Sequence, residues 1–390
     1  DDFYSQHDFT PDNVTHYTTE NSPLQHNSVY TFAKSSHNII WIGHEATGLN
    51  YYSFEDHTIH AIPSNPNIYN VHDIYESDPN TLWITTGNGV YKLNLSFTGK
   101  APTIIDCQHI DFGNQLKDKT LFFSIYPDSD STIWFANRGG GAIEYNTTTD
   151  NYNIHLSNSD KLIYNDIFSI YRSQNGALWY ASGGGVFSQD KTPIAGVQGA
   201  THGILEDNNG NLWISTNRGL SKYNIASGNA VNYGYSYGLQ IIEYSDGAYF
   251  VDNQHNTLLF GGINGFVVIS QSDNIEKRYN PDILFSDITI NSQAHSIQNM
   301  PSEDGVLQIQ PSHRTFTVNA TALDYIDGSN YTYFFKVKGY SDSWQKTTNN
   351  IAFKDITPGT YALEVKYCNN LTGEYSPIYT LQFEVQAHWW

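Results

Sequence analysis

From residue 29 onward the chain alternates short apolar runs with turns of Asn, Asp, Ser and Gly, and the runs recur in a fixed order. A run such as Val29 to Phe32, Val71 to Tyr75, Leu121 to Tyr126, Ile167 to Tyr171 or Gly203 to Leu205 comes first. A polar turn and an apolar-Trp-apolar segment follow: Ile40-Trp41-Ile42, Leu82-Trp83-Ile84, Ile133-Trp134-Phe135, Leu178-Trp179-Tyr180 and Leu212-Trp213-Ile214. A Gly beside an apolar residue opens the next run, and several units close on one more, such as Thr58 to Ile62 or Tyr152 to Leu156. A sixth unit reads Leu259-Phe260-Gly261 with Gly265-Phe266, taking Phe260 in the place of Trp. The aromatic positions 41, 83, 134, 179, 213 and 260 lie 42, 51, 45, 34 and 47 residues apart, and no helical period accompanies them.

Three or four short strands in each of several units of roughly 45 residues, repeated around an axis, make a β-propeller. Six blades are visible, the fourth of them short. Residues 9 to 19 resemble the last strand of a blade that begins elsewhere: they either close a six-bladed ring or belong to an upstream unit, giving the parent protein seven blades. The recurring Trp keeps one strand position, as a wedge between blades does, and is assigned to the core.

After Ser270 the repeat stops, and Gln271 to Pro281 is a polar connector. Seven strand candidates follow: Ile283 to Ile290, Val306 to Ile309, Thr315 to Ala320, Tyr331 to Lys338, Ile351 to Phe353, Thr360 to Tyr367 and Tyr379 to Val385. With turns at Asp327-Gly328 and Pro358-Gly359, this fits an immunoglobulin-like sandwich, of the fibronectin variety because no Cys…Trp…Cys pattern is present. The expected organisation is all-β: a propeller over 1–275 and a β-sandwich over 281–390. Cys107 and Cys368 fall in different expected domains and define no redox compartment.

Charge narrows the ligand. Lys and Arg number 19 against 39 Asp and Glu, a net −20, so phosphate backbones and anionic glycans are repelled and nucleic acid is excluded as a partner. Neutral oligosaccharides fit better. Charged residues at 15% and aromatics at 15% describe a folded, aromatic-rich chain, and no apolar run is long enough to span a bilayer. The opening Asp1-Asp2-Phe3, with Met300 the sole methionine, reads as a mature or excised piece.

No catalytic constellation, metal spacing or cofactor motif emerges from the 15 His and the carboxylates, which sit mostly in turns. A sialidase would need three converging arginines; the propeller holds Arg138, Arg172 and Arg218, with Arg172 ending an inner strand at the opposite face. A binding face follows from topology instead. Turns between second and third strands should gather His44, Glu45, Asn88, Asn137, Arg138, Asn217, Arg218 and Asn264 around the channel. Links between blades should add His72, Asp73, Asn165, Asp166, His202 and Glu243. Such side chains hydrogen-bond sugar hydroxyls while aromatic faces stack on pyranose C–H groups. The repeated Asn-Arg-Gly at 137–139 and 217–219 is the least turn-like feature.

Four segments carry a family resemblance: Glu206 to Thr216 with Gly219-Leu220; Gly238 to Ala248 with Phe260 to Phe266; Tyr331-Thr332-Tyr333 with Gly339 to Trp344; and Pro358 to Tyr361. They resemble the propeller repeats and the following tyrosine-rich domain of hybrid two-component sensors. The resemblance implies a periplasmic, glycan-detecting ectodomain, joined through a transmembrane helix to a histidine kinase and working as a homodimer. Trp389-Trp390 would then stand where the parent enters the membrane. Two other classes remain open on the residues alone: a secreted propeller enzyme, either glycoside hydrolase or polysaccharide lyase, and an adhesion module.

Overall fold

A computed structural model describes residues 14–45, 48–62, 68–158, 162–197, 199–234, 239–241, 243–271, 281–290, 293–295, 305–324, 328–370 and 373–387. The chain divides into two compact units, Asp1–Ser272 and Asp273–Trp390. Trp389 and Trp390 lie outside the described residues, as do residues 9–13.

The first unit is the expected propeller. Its first strands are Val29–Lys34 in blade 1, Val71–Asp78 in blade 2, Phe122–Ser129 in blade 3, Ile167–Arg172 in blade 4, Thr201–Glu206 in blade 5 and Tyr244–Asp252 in blade 6. Each pairs antiparallel with the next strand in sequence, and the sheets run outward in chain order. Blades 1, 2, 3 and 5 have four strands, while blade 4 ends at Gly185–Ser188, so the short 34-residue spacing corresponds to a missing outer strand. The six first strands border one another in a circuit that returns from blade 6 to blade 1. Residues 14–19, by contrast, form no strand, which removes the described part of the segment read as a closing strand.

The Trp side chains are wedges. Trp41 packs with Ile74, Leu82 and Ile84 of blade 2; Trp83 with Ile125 and Phe135 of blade 3; Trp134 with Ile170 and Leu178 of blade 4. Trp179 and Trp213 do the same against blades 5 and 6. The sixth unit departs from its sequence alignment. Each Trp lies three residues before the end of its strand, as in Trp213 of Asn211–Thr216, and the residue at that place in Thr257–Gly262 is Leu259. Phe260 takes the place of Ile214 and faces back toward Trp213 of blade 5.

Among the described residues, the seam between blades 6 and 1, which has no indole wedge, is less tightly packed than the others. Phe32 of blade 1 is 66% exposed and Phe250 of blade 6 is 63% exposed. The residues matching Phe32 in blades 2 to 5, Ile74, Ile125, Ile170 and Ile204, are all buried. Ile74→Ala should therefore cost about 2–5 kcal/mol by cavity formation, while Phe32→Ala at the same repeat position should cost under about 1 kcal/mol. Urea unfolding of the two variants checks this; equal losses would mean that Phe32 is packed.

The second unit is a two-sheet β arrangement. One sheet orders Gln293–His295, Ile283–Ile290, Phe316–Ala322 and Asn350–Phe353. The other orders Leu307–Ile309, Tyr379–Val385, Gly359–Asn369, Tyr331–Lys338 and Ser341–Thr347, with Leu307–Ile309 parallel to its neighbour. Their inward faces share one core containing Val318, Leu363 and Phe383. Tyrosines tie it together: Tyr331 stacks on Tyr367 at 4.4 Å, the Tyr367 hydroxyl donates to the Pro281 carbonyl at 2.8 Å, and the Tyr333 hydroxyl accepts from the Ala322 N–H at 3.0 Å. Ser341–Thr347 is a strand the sequence did not announce. Its Trp344 lies beneath Lys336 and Lys366, at 5.0 and 4.4 Å. The thiols of Cys107 and Cys368 are both free.

Candidate functional site

Every first strand of the propeller carries an irregularity at its start. Pairing skips from Val29 to Thr31, from Val71 to Asp73, from Ile167 to Ser169 and from Thr201 to Gly203. The same break falls between Phe122 and Ile125 in blade 3, and a longer one between Tyr244 and Tyr249 in blade 6. A bulge leaves its extra residue out of the ladder and re-aims that side chain. The re-aimed residues are Tyr30, His72, Phe123, Phe168 and His202, with Asp246 in the longer bulge.

They form a chain of rings around the channel mouth. Tyr30 stacks on His72 at 5.3 Å, His72 meets the edge of Phe123 at 5.9 Å, Phe123 meets Phe168 at 5.0 Å, and Phe168 stacks on His202 at 6.2 Å. The His202 Nδ1 lies 2.6 Å from the Asp246 carboxylate. With Nδ1 donating there, the buried Nε2, which has no partner among the described residues, is left as an acceptor. Burial pulls the His72 imidazole below its ordinary range, against the opposing pull of Asp246. Burial first, and then the Glu45 carboxylate to which its hydroxyl donates, push the Tyr30 phenol up.

Beneath the rings lie Tyr249 and Asp73. The Tyr249 ring covers Gly203, where an added Cβ would overlap it, and its hydroxyl is 2.9 Å from the Ser169 Oγ. Burial pushes that phenol up to about 12, with Asp73 adding to the effect. The Asp73 carboxylate accepts N–H groups of Ile125 and Ile74, each at 2.8 Å, yet burial outweighs these bonds and raises its pKa to about 6. The channel mouth is thus rimmed by aromatic rings, with Tyr249 and Asp73 below them.

The Asp73 shift sets a pH dependence. Its folded pKa is raised, so folding favours the protonated form and the group's penalty appears as pH climbs through the interval from about 4 to about 6. The stability of Asp73→Asn relative to wild type should rise across that interval, by roughly 3 kcal/mol, and level off above it. Denaturant titrations at pH 4, 5, 6 and 7 read the difference; a flat difference would place Asp73 in solvent.

The residues expected at the binding face divide. His72 and His202 belong to the ring, Asp73 lies below it, and Glu45 belongs to the rim through Tyr30. Arg138, Arg218, Asn217 and Asn264 are exposed on hairpins between second and third strands, one strand farther from the axis than the ring. Asp166 is exposed beside Gly139. Three expectations are corrected. Asn137 is fully buried and its amide donates to the Lys119 carbonyl at 2.9 Å. His44 is fully buried, and Asn88 is bound within its own turn to Thr86 and Tyr91. Arg172, set aside as facing away, holds Asp128 through two bonds of 2.5 and 2.6 Å. Tyr30, Phe123, Phe168, Asp246 and Tyr249 lie at this site without having been expected there from the sequence. One signal could have found the rings: an aromatic or His recurs as the second residue of each first strand in blades 1 to 5.

Among the described residues, no group of three or more His, Cys, Asp or Glu could hold a metal ion, and no helix is long and apolar enough to cross a membrane.

Comparison with known proteins bears on both units. Residues 198–218 match the two component regulator propeller family and residues 324–386 the Y_Y_Y domain. Histidine kinase P4 of Formosa agariphila is 27% identical, covering 89% of this chain and 30% of that protein. The solved extracellular domain of a hybrid two-component system from B. thetaiotaomicron is 25% identical with a TM-score of 0.66, covering 95% of this chain and 51% of that one. A second such domain from the same organism, 16% identical with a TM-score of 0.50, covers 93% of this chain and 51% of its own and supports the fold. The chain thus spans less than a third of the kinase and about half of each solved domain. The first unit thus carries a match to the two component regulator propeller family and the second a match to the Y_Y_Y domain, and the chain is similar along nearly its whole length to the extracellular domain of a hybrid two-component system.

Proposed function

We propose that the chain is the ligand-sensing, periplasmic part of a membrane-tethered hybrid histidine kinase, and that it takes neutral oligosaccharides at the propeller mouth. The aromatic ring Tyr30–His72–Phe123–Phe168–His202 carries this reading. Ring faces offer C–H stacking, while Glu45, Asp246 and the His202 Nε2 offer acceptors to hydroxyls. The net charge of −20 disfavours anionic glycans. Tyr249, set against Gly203 and Ser169 below the rings, favours an end or a single turn of a chain over one threaded through the channel.

Binding becomes a signal only where the ligand prefers one of two arrangements. Here these are two arrangements of a homodimer, with the Y_Y_Y unit passing the change toward the membrane. Crosslinks placed in that unit should change pattern with ligand; a pattern indifferent to ligand counts against this transmission.

Calorimetric titration with pools of neutral oligosaccharides tests recognition. Saturating heat without turnover supports the sensor. Continuing heat supports a glycoside hydrolase or lyase instead, and silence places the site outside these residues.

A further inference from the structure

Blades 2 and 3 flank an open cleft of about 600 Å³ at the face opposite the ring, beside the turns that join their first and second strands. Tyr75, Asp78, Trp83, Lys92, Asp128 and Asp130 are among its lining. It is separate from the channel mouth and contains the one irregularity in the bonding of the repeat tryptophans.

The other four buried indoles have found acceptors: Trp41 donates to Glu76 at 3.0 Å, Trp134 to Asp128 at 3.1 Å, Trp179 to Ser173 at 2.9 Å and Trp213 to Asp207 at 2.9 Å. In the last three the acceptor stands six residues before the Trp. The matching residue in blade 2 is Ser77, which is exposed and takes nothing from Trp83. Trp83 is 1% exposed, and its N–H has no acceptor among the described residues. Its nitrogen is not among the buried atoms left without a partner, so it opens onto the cleft, where an incoming acceptor can reach it.

The rest of the lining defines that acceptor. Asp128 is committed to Arg172, which holds its carboxyl below the usual range, and to Trp134. Asp78 and Asp130 remain as carboxylate acceptors, and the Lys92 ammonium, 5.3 Å over the Trp83 ring, as a donor. An anion would face Asp78 and Asp130, and a simple cation would face Lys92 and leave the indole N–H unmet. Vicinal hydroxyls both donate and accept, and satisfy both sets. We infer that this cleft is a second binding site, for a neutral polyhydroxylated ring of the size of one sugar unit, held by the Trp83 N–H, Lys92, Asp78 and Asp130.

The test follows indole N–H resonances of the ¹⁵N-Trp-labelled chain, with Trp83 assigned through Trp83→Phe, during titration with the methyl glycosides of glucose, galactose, mannose and xylose. The Trp83 signal should move saturably with at least one of them while those of Trp134, Trp179 and Trp213 hold still. The midpoint should rise about tenfold or more in Asp130→Asn, an exposed position whose replacement leaves the fold intact. Tyr30→Ala should leave it unchanged, which separates this site from the channel mouth. A Trp83 signal that ignores all four glycosides overturns the inference, as does a response abolished by Tyr30→Ala.

Discussion

Trp41→Ala is expected to destabilise the propeller unit by about 3–5 kcal/mol, the range for emptying a fully buried large aromatic site. The indole is completely buried and fills the gap between blade 1 and blade 2, where Ile74, Leu82 and Ile84 meet it. Those residues belong to one sheet and Trp41 to another that does not pair with it, so the void cannot close unless one blade tilts toward the other. A tilt would disturb the packing of neighbouring first strands around the circuit. The substitution also removes the donor that Glu76 accepts at 3.0 Å, although Glu76 keeps the Ser36 N–H and hydroxyl at 2.9 and 2.6 Å.

Trp41→Phe separates the two effects, since it keeps most of the ring volume and loses the N–H. It should recover more than half of the stability, because net hydrogen bonds of this kind contribute about 1 kcal/mol and the void dominates. Urea unfolding followed by far-UV circular dichroism reads both variants. A loss under about 1 kcal/mol for Trp41→Ala would mean that blades slide together freely and that the wedge account is wrong. Leu259→Ala, at the matching place on the seam between blades 6 and 1, should behave like a surface change by comparison.

The blades were legible in the sequence because turn residues and the Trp repeat report local needs: a hairpin, and a filled gap to the next blade. The sixth repeat misled because matching aromatic to aromatic put Phe260 in register with Trp213, whereas distance from the hairpin puts Leu259 there. No blade packs tightly on that face, so no indole is required. Ser341–Thr347 escaped notice for a related reason: as an edge strand it buries little and carries polar residues on both faces. The site was half legible. His72, Asp73 and His202 stood out as polar residues at strand starts. Phe123 and Phe168 did not, because strict alternation assigns an apolar residue inside an apolar run to the core. The bulge shifts that alternation by one and turns those rings to the channel, and it is visible only in strand pairing.

Phe168→Ala should weaken binding of a neutral oligosaccharide by about tenfold to a hundredfold, 1.4–2.8 kcal/mol, while leaving the urea midpoint of the propeller nearly unchanged. Phe168 is only half-buried, so its removal opens no sealed void, yet it touches both Phe123 and His202 and so holds the middle of the ring. Its loss takes away one stacking face and lets His202 leave the orientation that its bond to Asp246 fixes. Asp246→Asn is expected to act through that orientation alone, with a smaller loss. Arg138→Ala and Arg218→Ala should change affinity less than about threefold, because both lie on hairpins a strand away from the rings. Calorimetry of the four variants against one saturating oligosaccharide decides the matter. Large losses at the arginines with none at Phe168 would move recognition outward to the hairpins, and the aromatic ring would then serve only to pack the channel mouth.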